Sequence, residues 1–127
     1  MKKGRLMRVI GGRERATQPE DLTRLFVERV NAGDAVGIAE LYAPDAVLAF
    51  PPGQITVGRE AIRALYEEMV AKRPQFEPEK PLPTLRTGDL ALTSTRSADG
   101  TGVRVQVARR QSDGTWLRVI DRPEAPQ

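Results

Sequence analysis

The chain has 127 residues, a formal net charge of +3, and neither cysteine nor histidine. That length suits one domain whose core needs no covalent staples. Without a thiol or an imidazole, disulfides, thiolate chemistry, histidine-bearing nucleophile triads and the ordinary zinc sites are excluded, so no metal or other cofactor is expected.

The charge is unevenly spread. Residues 1–17 carry six basic side chains against Glu14 alone, whereas residues 18–127 carry fourteen basic and sixteen acidic ones. The division expected is a basic leader over 1–16 and a single domain over 17–127. A nucleic-acid reader would carry its basic stripe on the folded surface, and the leader lacks aromatics that stack on bases, so no nucleic-acid partner is expected. No apolar run approaches the roughly 18 residues of a membrane span. Arg8 splits Leu6-Met7 from Val9-Ile10, leaving no secretory core. The reading is a cytoplasmic protein with no membrane partner.

In chain order, Thr17 and Glu20 have the spacing of a capping box, opening a helix that runs to about Asn31 with Leu22, Leu25, Phe26 and Val30 on its apolar stripe. Gly33-Asp34 breaks it and caps a second helix, which presents Ala35, Ile38, Ala39 and Tyr42 on one face. Pro44-Asp45 stops that helix. Residues 46–50 read as a short buried strand closed by Pro51-Pro52-Gly53, and a third helix after Gly58 carries Ile62, Leu65, Tyr66 and Met69. Four prolines make residues 73–84 an extended connector.

The remainder is a meander. Strands are expected over 85–87, 90–97, 103–111 and 116–122, with turns at Gly88-Asp89, Asp99-Gly100 and Asp113-Gly114. Strict alternation places Val103, Val105 and Val107 on one face and Arg104, Gln106 and Ala108 on the other. In the last strand it groups Leu117, Val119 and Asp121 inward and Trp116, Arg118 and Ile120 outward. Three helices followed by mainly antiparallel strands make an α+β protein.

Ala32-Gly33-Asp34, then Leu41-Tyr42-Ala43 with Asp45-Ala46, then Gly58-Arg59-Glu60-Ala61-Ile62 with Leu65-Tyr66, carry a resemblance in their order and spacing. From about Pro19 to Pro123 the chain resembles the superfamily of nuclear transport factor 2, bacterial ketosteroid isomerase and the SnoaL-like polyketide cyclases. The resemblance implies a cone-shaped fold, a curved sheet wrapped around three N-terminal helices, with a small-molecule pocket at the open end. It also implies a homodimer, and outward Trp116 and Ile120 would supply an apolar patch to bury in one.

Ketosteroid isomerase moves a proton with an aspartate base and holds the enolate oxygen with a tyrosine and a protonated aspartate. The positions matching those three groups are Phe50, Phe26 and Gln106, so that catalytic set is absent. Some cyclases of this family work with one pocket carboxylate. Asp121 is the candidate here, because a carboxylate facing the cone interior would be desolvated. Tyr42 and Tyr66 match two tyrosines that extend the hydrogen-bond network in some of these isomerases. The expected catalytic residues are therefore Asp121, Tyr42 and Tyr66, in a pocket of Phe26, Phe50, Gln106, Leu117, Val119 and Met69 suited to a small apolar ligand or substrate. Structural roles compete with this: core tyrosines bonded to backbone, and a strand-end aspartate in a salt bridge. Two functions follow: an isomerase or cyclase using one carboxylate, or a non-catalytic ligand-binding or dimerisation module.

Overall fold

Eleven residues from Asp21 to Asn31 form helix α1, and their spacing turns Leu22, Leu25 and Val30 into the core. Gly33, at φ 70°, supplies the left-handed turn that ends it. Asp34 then caps the short helix α2 (Ala35–Ala39) by accepting a hydrogen bond from the Gly37 amide at 3.0 Å. Strands β1 (Tyr42–Leu48) and β2 (Thr56–Val57) follow, then helix α3 (Arg59–Ala71). The proline-rich connector carries β3 (Lys80–Pro81), and the chain ends in β4 (Leu85–Thr87), β5 (Leu90–Arg96), β6 (Val103–Arg110) and β7 (Trp116–Ala125). This is a computed structural model, and it describes residues 12–97, 100 and 102–125. Most of the leader and the turn residue Asp99 lie outside them. No helix among the described residues is long and apolar enough to cross a membrane.

The strands make one unclosed, mixed sheet in the order β2-β1-β7-β6-β5-β3, with β4 also paired to β5. Every pairing is antiparallel except β1 with β7. Helices and curved sheet form the α+β cone, and Leu22, Ile38, Tyr42, Leu48, Ile62 and Trp116 fill the space between them. Burying a large apolar side chain of this kind contributes about 1.5–3 kcal/mol, so the two layers are held mainly by this shared core.

The segment before α1 is pinned to the body. Arg13 grips both carboxylate oxygens of Asp34, at 2.7 and 2.8 Å. Buried Arg29 donates to the Gly37 carbonyl at 2.7 Å and also to the Glu14 carbonyl. The Trp116 amide donates to the Ala16 carbonyl at 2.9 Å.

Three local expectations are corrected. The start of α1 is not the Thr17–Glu20 capping box: Glu20 makes no side-chain cap bond, and the Asp21 carboxylate instead accepts from the Thr17 and Gln18 amides at 3.1 and 3.2 Å. The helix begins at Asp21, so it is that side chain that reaches back over the free amides. Tyr42 is not helical. Helix α2 stops at Ala39, and β1 starts at Tyr42, four residues before the expected strand, with Pro44 and Asp45 exposed on an irregular stretch of it.

The third correction concerns β7. Ala108 pairs with Arg118 while Val107 pairs with Ile120, so β7 spends one extra residue, Val119, where β6 spends none. This bulge shifts the alternation by one. Trp116 and Arg118 therefore face the helices together with Asp121, each only 2% exposed, and Ile120 faces outward at 53% exposure. An outward Trp116 is overturned, and the dimer argument built on it goes with it. The outer face still carries an apolar row read straight across the ladder: Val57, Val47, Ile120, Val107, Leu92 and Leu85.

Candidate functional site

The bulge sets the site, because it brings two charges three residues apart onto the inner face of one strand. Arg118 stands opposite Ala108 on β6 and Tyr42 on β1, and Asp121 stands opposite Gln106 and Leu48. The guanidinium Nη1 lies 3.6 Å from Asp121 Oδ2, and both side chains are almost wholly buried. Tyr42 donates its hydroxyl to the same Oδ2 at 2.5 Å. Tyr66 of α3 stands 3.3 Å behind the Tyr42 hydroxyl. The rest of the Arg118 environment is weak or aromatic: Thr23 Oγ1 at 3.5 Å, the Phe26 ring at 5.2 Å and the Tyr42 ring at 5.9 Å.

Two atoms in this cluster are left without a partner. Arg118 Nε and Asp121 Oδ1 are the buried side-chain polar atoms among the described residues that make no hydrogen bond. A native interior rarely leaves such groups unmet, since each costs its desolvation without recompense. Both residues line a cavity of about 420 Å³.

Aromatic and aliphatic side chains make up half of the remaining wall residues. Phe26 and Val27 come from α1, Tyr66 and Met69 from α3, and Phe50 from the loop after β1. Gln106 sits opposite Asp121, its amide oxygen accepting from Thr93 at 3.0 Å. The connector closes one side. Asn31 clamps the Phe76 backbone from α1 through bonds of 2.9 and 2.7 Å, while the Glu79 carboxylate accepts from Thr95 and Arg104, both at 2.9 Å. The Phe76 ring packs 6.1 Å from Phe26, which itself meets Tyr66 edge-on at 5.7 Å.

Burial, followed by the Asp121 charge, pushes the Tyr42 hydroxyl far above the ordinary tyrosine pKa, and burial first does the same to Tyr66. Both remain neutral donors. Burial alone would lower the Arg118 pKa, but the neighbouring Asp121 charge and Tyr42 outweigh it and the net shift is upward. The guanidinium thus stays charged. The cluster consists of one fixed cation, one carboxylate and two neutral phenols around an apolar void. Such a set can hold a polar group of a ligand and can take or give a proton at Asp121 Oδ1. No group of three or more potential metal-ligating side chains occurs among the described residues.

Of the residues expected from sequence, Asp121, Tyr66, Phe26, Phe50, Met69 and Gln106 come together on the cavity wall. Tyr42 is fully buried behind Asp121 and reaches the cavity through it. Leu117 and Val119 are not on the wall: Leu117 takes the outer register and packs only partly buried against the core, and Val119 is the buried bulge residue. The tyrosines are core residues, but their hydroxyls bond each other and Asp121 rather than backbone. Arg118 is the residue sequence reasoning missed. The signal available was a pair of opposite charges inside the otherwise apolar Trp116–Asp121 run; the placement of Arg118 depended on a bulge that one strand alone does not reveal.

A family model described as a SnoaL-like domain matches residues 23–121. Among curated proteins, none matches this chain significantly. Solved structures share the fold. One, provisionally designated a calcium/calmodulin-dependent protein kinase type II association domain, comes from Thiobacillus denitrificans; it is 20% identical with a TM-score of 0.69, covering 89% of this chain and 100% of that one. A protein of unknown function from Mycobacterium tuberculosis is 21% identical with a TM-score of 0.65, covering 83% and 68%. A ketosteroid isomerase-like protein from Erwinia carotovora atroseptica is 19% identical with a TM-score of 0.62, covering 84% and 94%.

Proposed function

Because this chain belongs to the SnoaL-like domain family, we propose that its cone holds a small apolar molecule and that Asp121 moves a proton on it, in an isomerisation or a cyclisation. The observation that carries this reading is Asp121, a residue lining a cavity large enough for such a molecule and buried with its Oδ1 unpartnered. A carbonyl compound with an acidic C–H would lose that proton to Oδ1, and the electron pair would move onto the carbonyl oxygen as an enolate. Arg118 Nε, the other unpartnered atom, is the donor available to that oxygen. Where a double bond is conjugated with the enolate, returning the proton at its far carbon completes an isomerisation; attack of the enolate carbon on a second carbonyl of the same molecule, with the proton passed from Oδ1 to the resulting alkoxide, completes a ring closure. Tyr42, bonded to Oδ2, leaves Oδ1 as the working oxygen.

The test uses 2-tetralone in D₂O, following loss of its α-proton signal by NMR. The unmodified protein should accelerate exchange over buffer, and Asp121→Asn should lose at least about a hundredfold of that rate, the usual range for a positioned acid–base group. No acceleration over buffer, or equal rates for the two proteins, would sink the acid–base role and leave a non-catalytic binding module.

The outer apolar row supports a homodimer through the sheet. Val57, Ile120 and Leu85 are 61%, 53% and 64% exposed and lie in one line across the strands. Solution light scattering should give twice the chain mass at micromolar concentration, and Ile120→Lys should halve it. A monomer before substitution would remove this assembly.

A further inference from the structure

We infer that the cavity is built for an uncharged ligand whose polar head offers both a hydrogen-bond acceptor and a donor, and that Asp121 sets this choice by cancelling the charge of Arg118; the inference rests on reading the cavity as a ligand site. Arg118 and Asp121 are each 2% exposed and 3.6 Å apart, so the polar end of the cavity holds a full positive and a full negative charge with almost no solvent to screen them. The guanidinium is already occupied by that carboxylate and by the faces of Phe26 and Tyr42. Of the other charged residues on the wall, Arg104 is held by Glu79 at 2.9 Å, and Glu77 adds a third carboxylate.

An incoming anion would thus meet two committed arginines against three carboxylates. Burying a charge without a free counter-charge is the most expensive act available in such a place. A cation would fare no better, since its one buried counter-charge, Asp121, already faces Arg118. What the site lacks is not charge but two hydrogen bonds, one accepted from Arg118 Nε and one donated to Asp121 Oδ1. A single hydroxyl can make both, and so can a carbonyl beside an N–H.

The prediction is tested by calorimetric titration at pH 7 with 2-naphthol and 2-naphthoate, which share a ring system and differ in the charge of the head. The unmodified protein should bind 2-naphthol at least tenfold more tightly. Asp121→Asn keeps an acceptor for Tyr42 and removes the negative charge, leaving Arg118 unmatched; 2-naphthoate should then gain at least tenfold and overtake the phenol. Arg118→Met combined with Asp121→Asn should restore the preference for 2-naphthol, with melting curves confirming that each variant folds. Equal or tighter binding of 2-naphthoate by the unmodified protein would overturn the inference, as would a selectivity ratio unmoved by Asp121→Asn. Binding of neither compound would overturn it together with the ligand-site reading. Selective binding of 2-naphthol with no tetralone exchange would uphold the inference and dismiss only the acid–base role.

Discussion

Arg13–Asp34 and Arg118–Asp121 are built from the same two side chains in opposite circumstances. At the corner between α1 and α2, Arg13 meets both oxygens of Asp34 at 2.7 and 2.8 Å, one of those oxygens also caps α2, and roughly 30% of each side chain remains in water. Hydrogen bonds from Arg13, offset in part by burial, hold the Asp34 carboxyl below its usual pKa. In the cavity, Arg118 and Asp121 are dry, stand 3.6 Å apart, and each leaves an atom unmet. The contrast teaches how to tell a structural pair from a functional one. A satisfied pair on a partly wet surface joins two segments of chain; a buried pair with unmet atoms beside a cavity is the candidate for a functional one.

The largest expected effect breaks the corner. A Cβ added at Gly37 would lie 2.2 Å from Asp34 Oδ2 and 2.6 Å from Arg13 Nε. Alanine in a helix interior normally gains about 1 kcal/mol over glycine, yet here it must expel the Asp34 carboxylate, losing the cap at about 1 kcal/mol and charge-assisted bonds at about 1.5–3 kcal/mol before solvent screening is allowed for. Gly37→Ala should therefore lower stability by about 1–2 kcal/mol, seen as a thermal midpoint several degrees lower. An unchanged or raised midpoint would show that the corner pair contributes nothing to folding.

The smallest expected effect is at the cavity, and its smallness is what sharpens the comparison. Replacing a buried ion pair on both sides by uncharged groups of similar volume is typically neutral or stabilising. Arg118→Met with Asp121→Asn should leave the thermal midpoint within about 3 °C of the original or raise it, a shift of about 1 kcal/mol or less in a domain of this size. A drop as large as that of Gly37→Ala would make the inner pair a structural element like the outer one and erase the distinction.

The sequence made the layers legible because local signals agreed with the final packing. Gly33-Asp34 ends one helix and caps the next as read, and the alternation of β6 put Gln106 and Ala108 together on one face, which is the buried one. Tyr42 was misplaced because it continues the helical spacing of Ala35, Ile38 and Ala39 and also begins a strand; only pairing with β7 decides between them. Asp121 was placed inward correctly but with the wrong companions. Its expected neighbours, Leu117 and Val119, belong to a strictly alternating strand, and β7 is not one. A bulge is a mismatch between two strands, so neither strand's own sequence announces it. That is also why Arg118 escaped notice: an arginine with no visible reason to be buried is assigned to water.

Val119 shows how this cavity's chemistry depends on counting as much as on side-chain identity. The extra residue acts as a phase shift in the ladder, so everything on one side of it has exchanged faces relative to a regular strand. Straighten the strand with every residue kept and the regular phase would return, putting Arg118 and Asp121, three residues apart, on opposite sides of the sheet with no change in either amino acid. The polar floor of the cavity is in that sense written in the length of β7. Its two charges share a wall because one strand is a single residue longer than its neighbour between the same two pairings.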